Sequence, residues 1–188
     1  GYYGLQIVTP MRAYGGINVY GQIAPVATAN WWNLADTLVA DGVYINAAIR
    51  SFNGDLTITG YSSGAYGLNA TASGSLQAAG DISLRGIGSG RGISASANIL
   101  AGHDLIIDAI NGSNNDWGAY LDGSTISATT GMLSIKGNGY YGIYLSSALT
   151  AGNATTVTLN PPATFGGNGI LIDGTSRNLY AVRLANST

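Results

Sequence analysis

The sequence predicts an all-β chain wound as a right-handed parallel β-helix, about seven coils of roughly 25 residues with three strands per coil. Three observations carry this. One glycine position recurs along the chain, at Gly4, Gly42, Gly67, Gly92, Gly118, Gly142 and Gly169, at intervals of 38, 25, 25, 26, 24 and 27 residues. Apolar residues two apart follow each of these glycines, as they do on a strand with one buried face. The composition, with 29 glycines and 9% charged residues, is too turn-rich for helices, and at 46% hydrophobic it is too apolar for a disordered chain.

The first strand class holds the residues at +1 and +3 from the glycine: Leu5/Ile7, Val43/Ile45, Leu68/Ala70, Ile93/Ala95, Ala119/Leu121, Ile143/Leu145 and Ile170/Ile172. Between them, at +2, stand Gln6, Tyr44, Asn69, Ser94, Tyr120, Tyr144 and Leu171, which alternation turns outward. A second class carries Ile17/Val19, Leu56/Ile58, Ile82/Leu84, Leu105/Ile107, Leu133/Ile135 and Val157/Leu159. Asp55, Asp81 and Asp104 precede three of these strands as a column expected to bond backbone amides at the turn. A third class shows Leu76/Ala78, Ile99/Ala101, Ile126/Ala128 and Leu149/Ala151. Stacked coils place like residues above one another about 4.8 Å apart, so apolar ladders fill the interior. The glycines are expected where the chain turns sharply and needs φ values that other residues avoid.

The first interval, 38 rather than 25, leaves about 13 extra residues in a loop inserted at 24–41, the one break in this repeat. The loop carries Trp31 and Trp32. Paired indoles in an insertion either anchor a receptor or a sugar ring, or fold back against the side of the helix. After Asp173, Tyr180, Val182 and Leu184 alternate as another first-class strand would. Neither end carries a polar cap and the chain opens in mid-pattern, so an internal piece of a longer protein is expected, continuing into further coils at both ends.

Net charge −2 with seven scattered Lys and Arg excludes the clustered basic patch of a nucleic-acid binder. Cysteine is absent, which removes disulfides and thiolate metal sites. Gly86–Gly90 lies between strands with no following helix or lysine, so it is not read as a phosphate cradle. β-Helices include polysaccharide-cleaving enzymes, whose chemistry rests on paired carboxylates. Asp108, Asp116 and Asp122 fall in one coil, with Asp116 in a loop, and Asp122 and Asp173 share a coil position with Ser146 between them. His103 takes the turn position that Gly80 fills one coil earlier, without a second histidine to build a site. No catalytic, cofactor or metal residue is assigned, and no enzyme is expected.

Aromatic residues recur at corresponding positions. Tyr3, Tyr66, Trp117 and Tyr141 stand immediately before the tracked glycine, and Tyr44, Tyr120 and Tyr144 two after it. Tyr120 and Tyr144 are expected to stack on adjacent coils as an exposed patch with Tyr140 near, either as a contact surface or as a stabilising ladder. The candidate receptor or glycan contacts are therefore Trp31, Trp32, Tyr44, Trp117, Tyr120, Tyr140 and Tyr144. Sequons at Asn69, Asn111, Asn153 and Asn186 add possible modification sites.

The strings Gly54-Asp55-Leu56-Thr57-Ile58-Thr59-Gly60, Ala79-Gly80-Asp81-Ile82-Ser83-Leu84 and Ala101-Gly102-His103-Asp104-Leu105-Ile106-Ile107 resemble the repeats of filamentous-haemagglutinin-like exoproteins. The likeness covers residues 42 to 175 and is one of repeat style. It implies a two-partner-secreted adhesin or contact-dependent growth inhibition effector, passed through an outer-membrane transporter partner and folded on the bacterial cell surface. The implied function is adhesion, or recognition of a protein or glycan receptor on another cell. The alternatives are a passive stalk spacer and a carbohydrate-active β-helix enzyme.

Overall fold

The computed structural model describes residues 3–23, 40–112, 115–152, 157–159, 170–177 and 180–185. Among these residues every regular element is a β-strand, and every strand pairing is parallel. The strands form an 11-stranded and a 7-stranded sheet. Strands adjacent in sequence almost never pair. Leu5–Ile7 lies against Val43–Ile45, which lies against Leu68–Ala70, and so on through Ile93–Ala95, Trp117–Ala128 and Tyr141–Ala151. Such long-range parallel pairing makes the molecule a parallel β-solenoid.

The period-2 apolar pattern explains why these segments are strands. Val43, Leu68, Ile93, Ala119 and Ile143 stack in register and each is completely buried. Leu56, Ile82, Leu105 and Leu133 form a second interior ladder, and Leu76, Ile99 and Ile126 a third. The third ladder extends back to Ile49 and Met11. All of these except the exposed Met11 belong to one continuous hydrophobic cluster. Burying one such side chain stabilises the fold by about 1.5–3 kcal/mol, which is what locks the register.

The tracked glycines correct the expectation about φ. Among the described residues positive φ occurs at Gly123 (69°) and Gly152 (43°), neither of them a tracked position. Where a strand of the other sheet lies alongside, as at Gly67 and Gly118, the tracked position needs glycine because the two sheets approach too closely for a side chain. A Cβ on Gly118 would lie 2.6 Å from the Asn138 amide nitrogen, and one on Gly67 would fall into the backbone of Gly86 and Ile87.

The register also moves one strand. Ile170 and Ile172 pair with Leu133 and Ile135 in the seven-stranded sheet, so they take the second-class place assigned above to Val157 and Leu159. Val157–Leu159 lies on the outer side of Ile170–Ile172. Gly169 is therefore not the next tracked glycine. That place falls to Ala181, whose carbonyl accepts the Ile143 amide at 2.9 Å just as Gly67 accepts from Val43 at 3.0 Å. Gly142 to Ala181 spans 39 residues, against 38 from Gly4 to Gly42, so the repeat has two breaks rather than one. The 27-residue interval looked regular because a second-class strand happens to follow a glycine too. Val182 and Leu184 do pair with Ile143 and Leu145 as a first-class strand should.

Candidate functional site

Two columns of side chains flank the tracked glycine on the outer surface of the 11-stranded sheet. The amides of Gly4, Gly42, Gly67 and Gly142 donate to the carbonyl of the residue before the next tracked position, Asp41 at 3.0 Å, Tyr66 at 2.9 Å, Arg91 at 3.0 Å and Tyr180 at 2.9 Å, and Trp117 pairs with Tyr141. One column therefore runs Tyr3, Asp41, Tyr66, Arg91, Trp117, Tyr141, Tyr180. The other runs Gln6, Tyr44, Asn69, Ser94, Tyr120, Tyr144, Arg183, held by strand register. The strand neighbours of the second column, from Val43/Ile45 to Ile143/Leu145, fill the core, so alternation turns that column's side chains outward.

The columns merge into one aromatic surface at the C-terminal half. Tyr120 and Tyr144 stack almost parallel, centroids 4.4 Å apart and planes 8° apart. Trp117 packs 4.9 Å from Tyr141, 5.6 Å edge-on from Tyr144 and 6.4 Å from Tyr180. Tyr140 meets Tyr141 edge-on at 4.9 Å. Two guanidinium groups close the array. Arg91 lies 3.8 Å over Tyr120 and 5.3 Å from Tyr66, and Arg183 lies 5.8 Å from Tyr144 and 5.9 Å from Tyr180. Arg91 is oriented by Asp116 at 3.2 Å and by Ser94 Oγ at 3.2 Å. Among the described residues, the other ring contacts are separate pairs: Tyr3 with Tyr44, Tyr14 with Phe52, and Tyr20 with Tyr61.

The structure thus brings together Trp117, Tyr120, Tyr140 and Tyr144. Tyr44 stands apart, three strand pairings from Tyr120 or roughly 14 Å along the stack, with its ring on Tyr3. Trp31 and Trp32 lie outside the described residues. Sequence reasoning did not select Arg91, Arg183 and Tyr180. Arg91 was legible, since it fills the place before Gly92, but a search for aromatics passes over it. Tyr180 and Arg183 became visible only once Ala181 was seen in the glycine place.

The chemistry of the face is amphipathic. Rings that stack or meet edge-on cover part of one another, and Trp117, Tyr120, Tyr140, Tyr141 and Tyr144 are half-buried. Burial raises the Tyr120 phenol above its ordinary value, helped by the Asp122 carboxylate and Tyr144 and opposed by Arg91, so it stays a neutral donor. Farther along, Asp41 is 7% exposed and accepts from Asn69 Nδ2 at 2.9 Å and the Tyr66 amide at 3.3 Å. Burial pushes its carboxyl up despite both bonds.

The remaining acids are divided between the sheets. Asp116 caps the Trp117 amide at 2.8 Å besides holding Arg91. Asp122 pairs with Ser146, whereas Asp173 pairs with Lys136 in the other sheet, so the two do not share a column as the sequence suggested. Arg85, Asp108, Lys136 and Asp173 stack in register with alternating sign, which avoids like-charge neighbours. The expected aspartate column is present: the Oδ1 atoms of Asp55, Asp81 and Asp104 accept the amides of Asp81, Asp104 and Met132 at 2.9, 2.9 and 2.8 Å. His103, on the exposed turn as expected, sets Nδ1 3.1 Å from Asp81 Oδ1. Of the sequons, Asn69 already donates to Asp41, and Asn111 is buried with its amide donating to the Gly90 carbonyl. Asn153 and Asn186 lie outside the described residues.

No match was found. Comparison with protein-family models, curated proteins and solved structures linked this chain to none of them. The likeness to filamentous-haemagglutinin-like exoproteins accordingly rests on repeat style alone.

Proposed function

We propose that this chain is a non-enzymatic, surface-exposed stretch of a secreted filamentous exoprotein that recognises a receptor on another cell through its aromatic face. The observation that carries the reading is the continuous array of Trp117, Tyr120, Tyr140, Tyr141, Tyr144 and Tyr180 with Arg91 and Arg183. The outward side of a solenoid strand needs only solvated residues. Tyr, Trp and Arg are instead the residues that dominate binding hot spots. Because the rings meet one another both stacked and edge-on, the array is uneven rather than a flat platform for a sugar. A protein receptor suits that better than a glycan.

In this reading the molecule is a right-handed β-helix of about seven coils with three strands in each. A repeat of roughly 25 residues has room for three short strands and their turns, and right-handed crossovers between parallel strands are overwhelmingly preferred. An outer-membrane transporter would export the chain, which folds outside the cell. Nearest-neighbour stacking suits such stepwise folding. Trp31 and Trp32 are a second candidate contact.

Binding of the 188-residue chain to bacterial and epithelial cells tests this, comparing wild type with Tyr120→Ser/Tyr144→Ser and with Trp31→Ala/Trp32→Ala. All three should keep the same β-rich circular dichroism. Loss of binding in the tyrosine variant supports the aromatic face, and loss only in the tryptophan variant moves the site to the insertion. A wild-type chain that binds no cell favours the passive spacer, with the rings acting as a stabilising ladder.

A further inference from the structure

The turn entering the seven-stranded sheet gathers the chain's one histidine and two carboxylates. His103 Nδ1 lies 3.1 Å from Asp81 Oδ1 and 3.7 Å from Asp104 Oδ1. One donor atom from each residue falls within 4.8 Å of the others. We propose that Asp81, His103 and Asp104 form a binding site for a single divalent transition-metal ion of the zinc, nickel or copper type. Ligands bonded to one such ion at about 2.0–2.2 Å lie roughly 3–3.6 Å apart, so the 3.1 Å separation already matches and the 3.7 Å one lies just beyond it.

The donors are held by the repeat itself. Asp81 Oδ1 accepts the Asp104 amide and Asp104 Oδ1 accepts the Met132 amide, so neighbouring coils orient both carboxylates. The histidine is placed by a separate constraint. Its column holds Gly80 in one flanking coil and Gly131 in the other, with the Gly80 carbonyl accepting the His103 amide at 3.2 Å. A Cβ added to Gly80 would land on Asp55 Oδ1, and one added to Gly131 on Asp104 Oδ1. A side chain in this column is thus laid on the carboxylate of the preceding coil, and the column's imidazole is laid on Asp81.

The site is open, with side chains 62%, 50% and 36% exposed for His103, Asp81 and Asp104. Water or a donor from a partner can complete the coordination. One imidazole with two carboxylates suits borderline metals. Calcium requires six or more oxygens, and magnesium prefers an all-oxygen octahedron. The site belongs to the other sheet from the aromatic face and does not depend on the function proposed for it.

Titration calorimetry of the 188-residue chain with zinc or nickel chloride, alongside the nitrogen resonances of the single imidazole, tests the proposal. One ion should bind with saturation below about 1 mM, and both imidazole signals should move. His103→Ala should abolish binding, and Asp81→Asn and Asp104→Asn should each weaken it by about tenfold or more. The asparagine variants keep an oxygen for the backbone amide, so the turn survives. Asp55→Asn, one coil away in the same column, should bind as wild type does. Absence of saturation at millimolar metal overturns the site, as does binding that survives His103→Ala, binding unchanged in both Asp81→Asn and Asp104→Asn, or equal weakening by Asp55→Asn.

Discussion

At the turn entering the seven-stranded sheet, Asp55, Asp81 and Asp104 stand one above another, and on the outer face of the 11-stranded sheet Tyr120 and Tyr144 do the same. Both ladders arise because a solenoid sets like positions in register. They differ in where their bonding capacity goes. Each aspartate gives one oxygen to an amide of the next coil, so the column is part of the frame that holds coils together. The tyrosines meet each other, Trp117 and two guanidinium groups, and stay half-buried at the surface. A ladder is free to recognise a partner when neighbouring coils do not use up its functional groups.

The severest test of this contrast is to remove the register on which both ladders depend. In Gly67→Val the new side chain would fall into the Gly86–Ile87 backbone, so a loss of more than about 3 kcal/mol is expected. Thermal melting followed by circular dichroism should then show no cooperative transition near the wild-type temperature. A wild-type melt would mean that the sheets are less closely apposed than the glycine requires.

A smaller effect separates frame from face. Asp104→Ala leaves the part-buried Met132 amide without its acceptor and should cost about 1 kcal/mol in denaturant unfolding, while Asp104→Asn should recover most of it. Equal losses in the two variants would trace the effect to charge rather than to the cap.

The smallest effect concerns Asp41, which sits in the aromatic face's own column yet is used as the frame is. Its folded carboxyl is raised above the ordinary 3.8 by burial. The folded chain therefore holds that proton more tightly than the unfolded chain, and stability falls as pH rises through the window above 3.8. Asp41→Asn should remove this contribution, giving a stability profile flatter than wild type between about pH 4 and neutrality, and above wild type at its upper end. A profile that still falls with the same slope would assign the dependence to another group.

Much of the fold was legible because a solenoid repeats one rule. Ile82, Leu105 and Leu133 announce their stacking by recurring in the same context, as do Leu76, Ile99 and Ile126. Tyr120 over Tyr144 follows from two residues at the same offset from a glycine. The rule failed after Gly152, where Ile170 and Ile172 mimic a first-class strand in sequence but pair as a second-class one. Strands of both classes show the same period-2 apolar pattern, and local pattern cannot say which neighbour a strand will find. That one shift hid Tyr180 and Arg183 from the candidate site and set Asp173 in the wrong column.

The sequence by itself determined the parallel stacking, the composition of the interior ladders, the capping role of the aspartate column and the pairing of Tyr120 with Tyr144, since each depends on periodicity. Only the tertiary structure decided where the second break in the repeat falls, why Gly67 and Gly118 must be glycine, and which side chains meet across columns. Close approach of two sheets, the guanidinium of Arg91 over Tyr120, and His103 laid on Asp81 join residues that no single period relates. Periodicity specifies a position along the stack, whereas contact between columns depends on how the coil closes, and that is set by packing of the core.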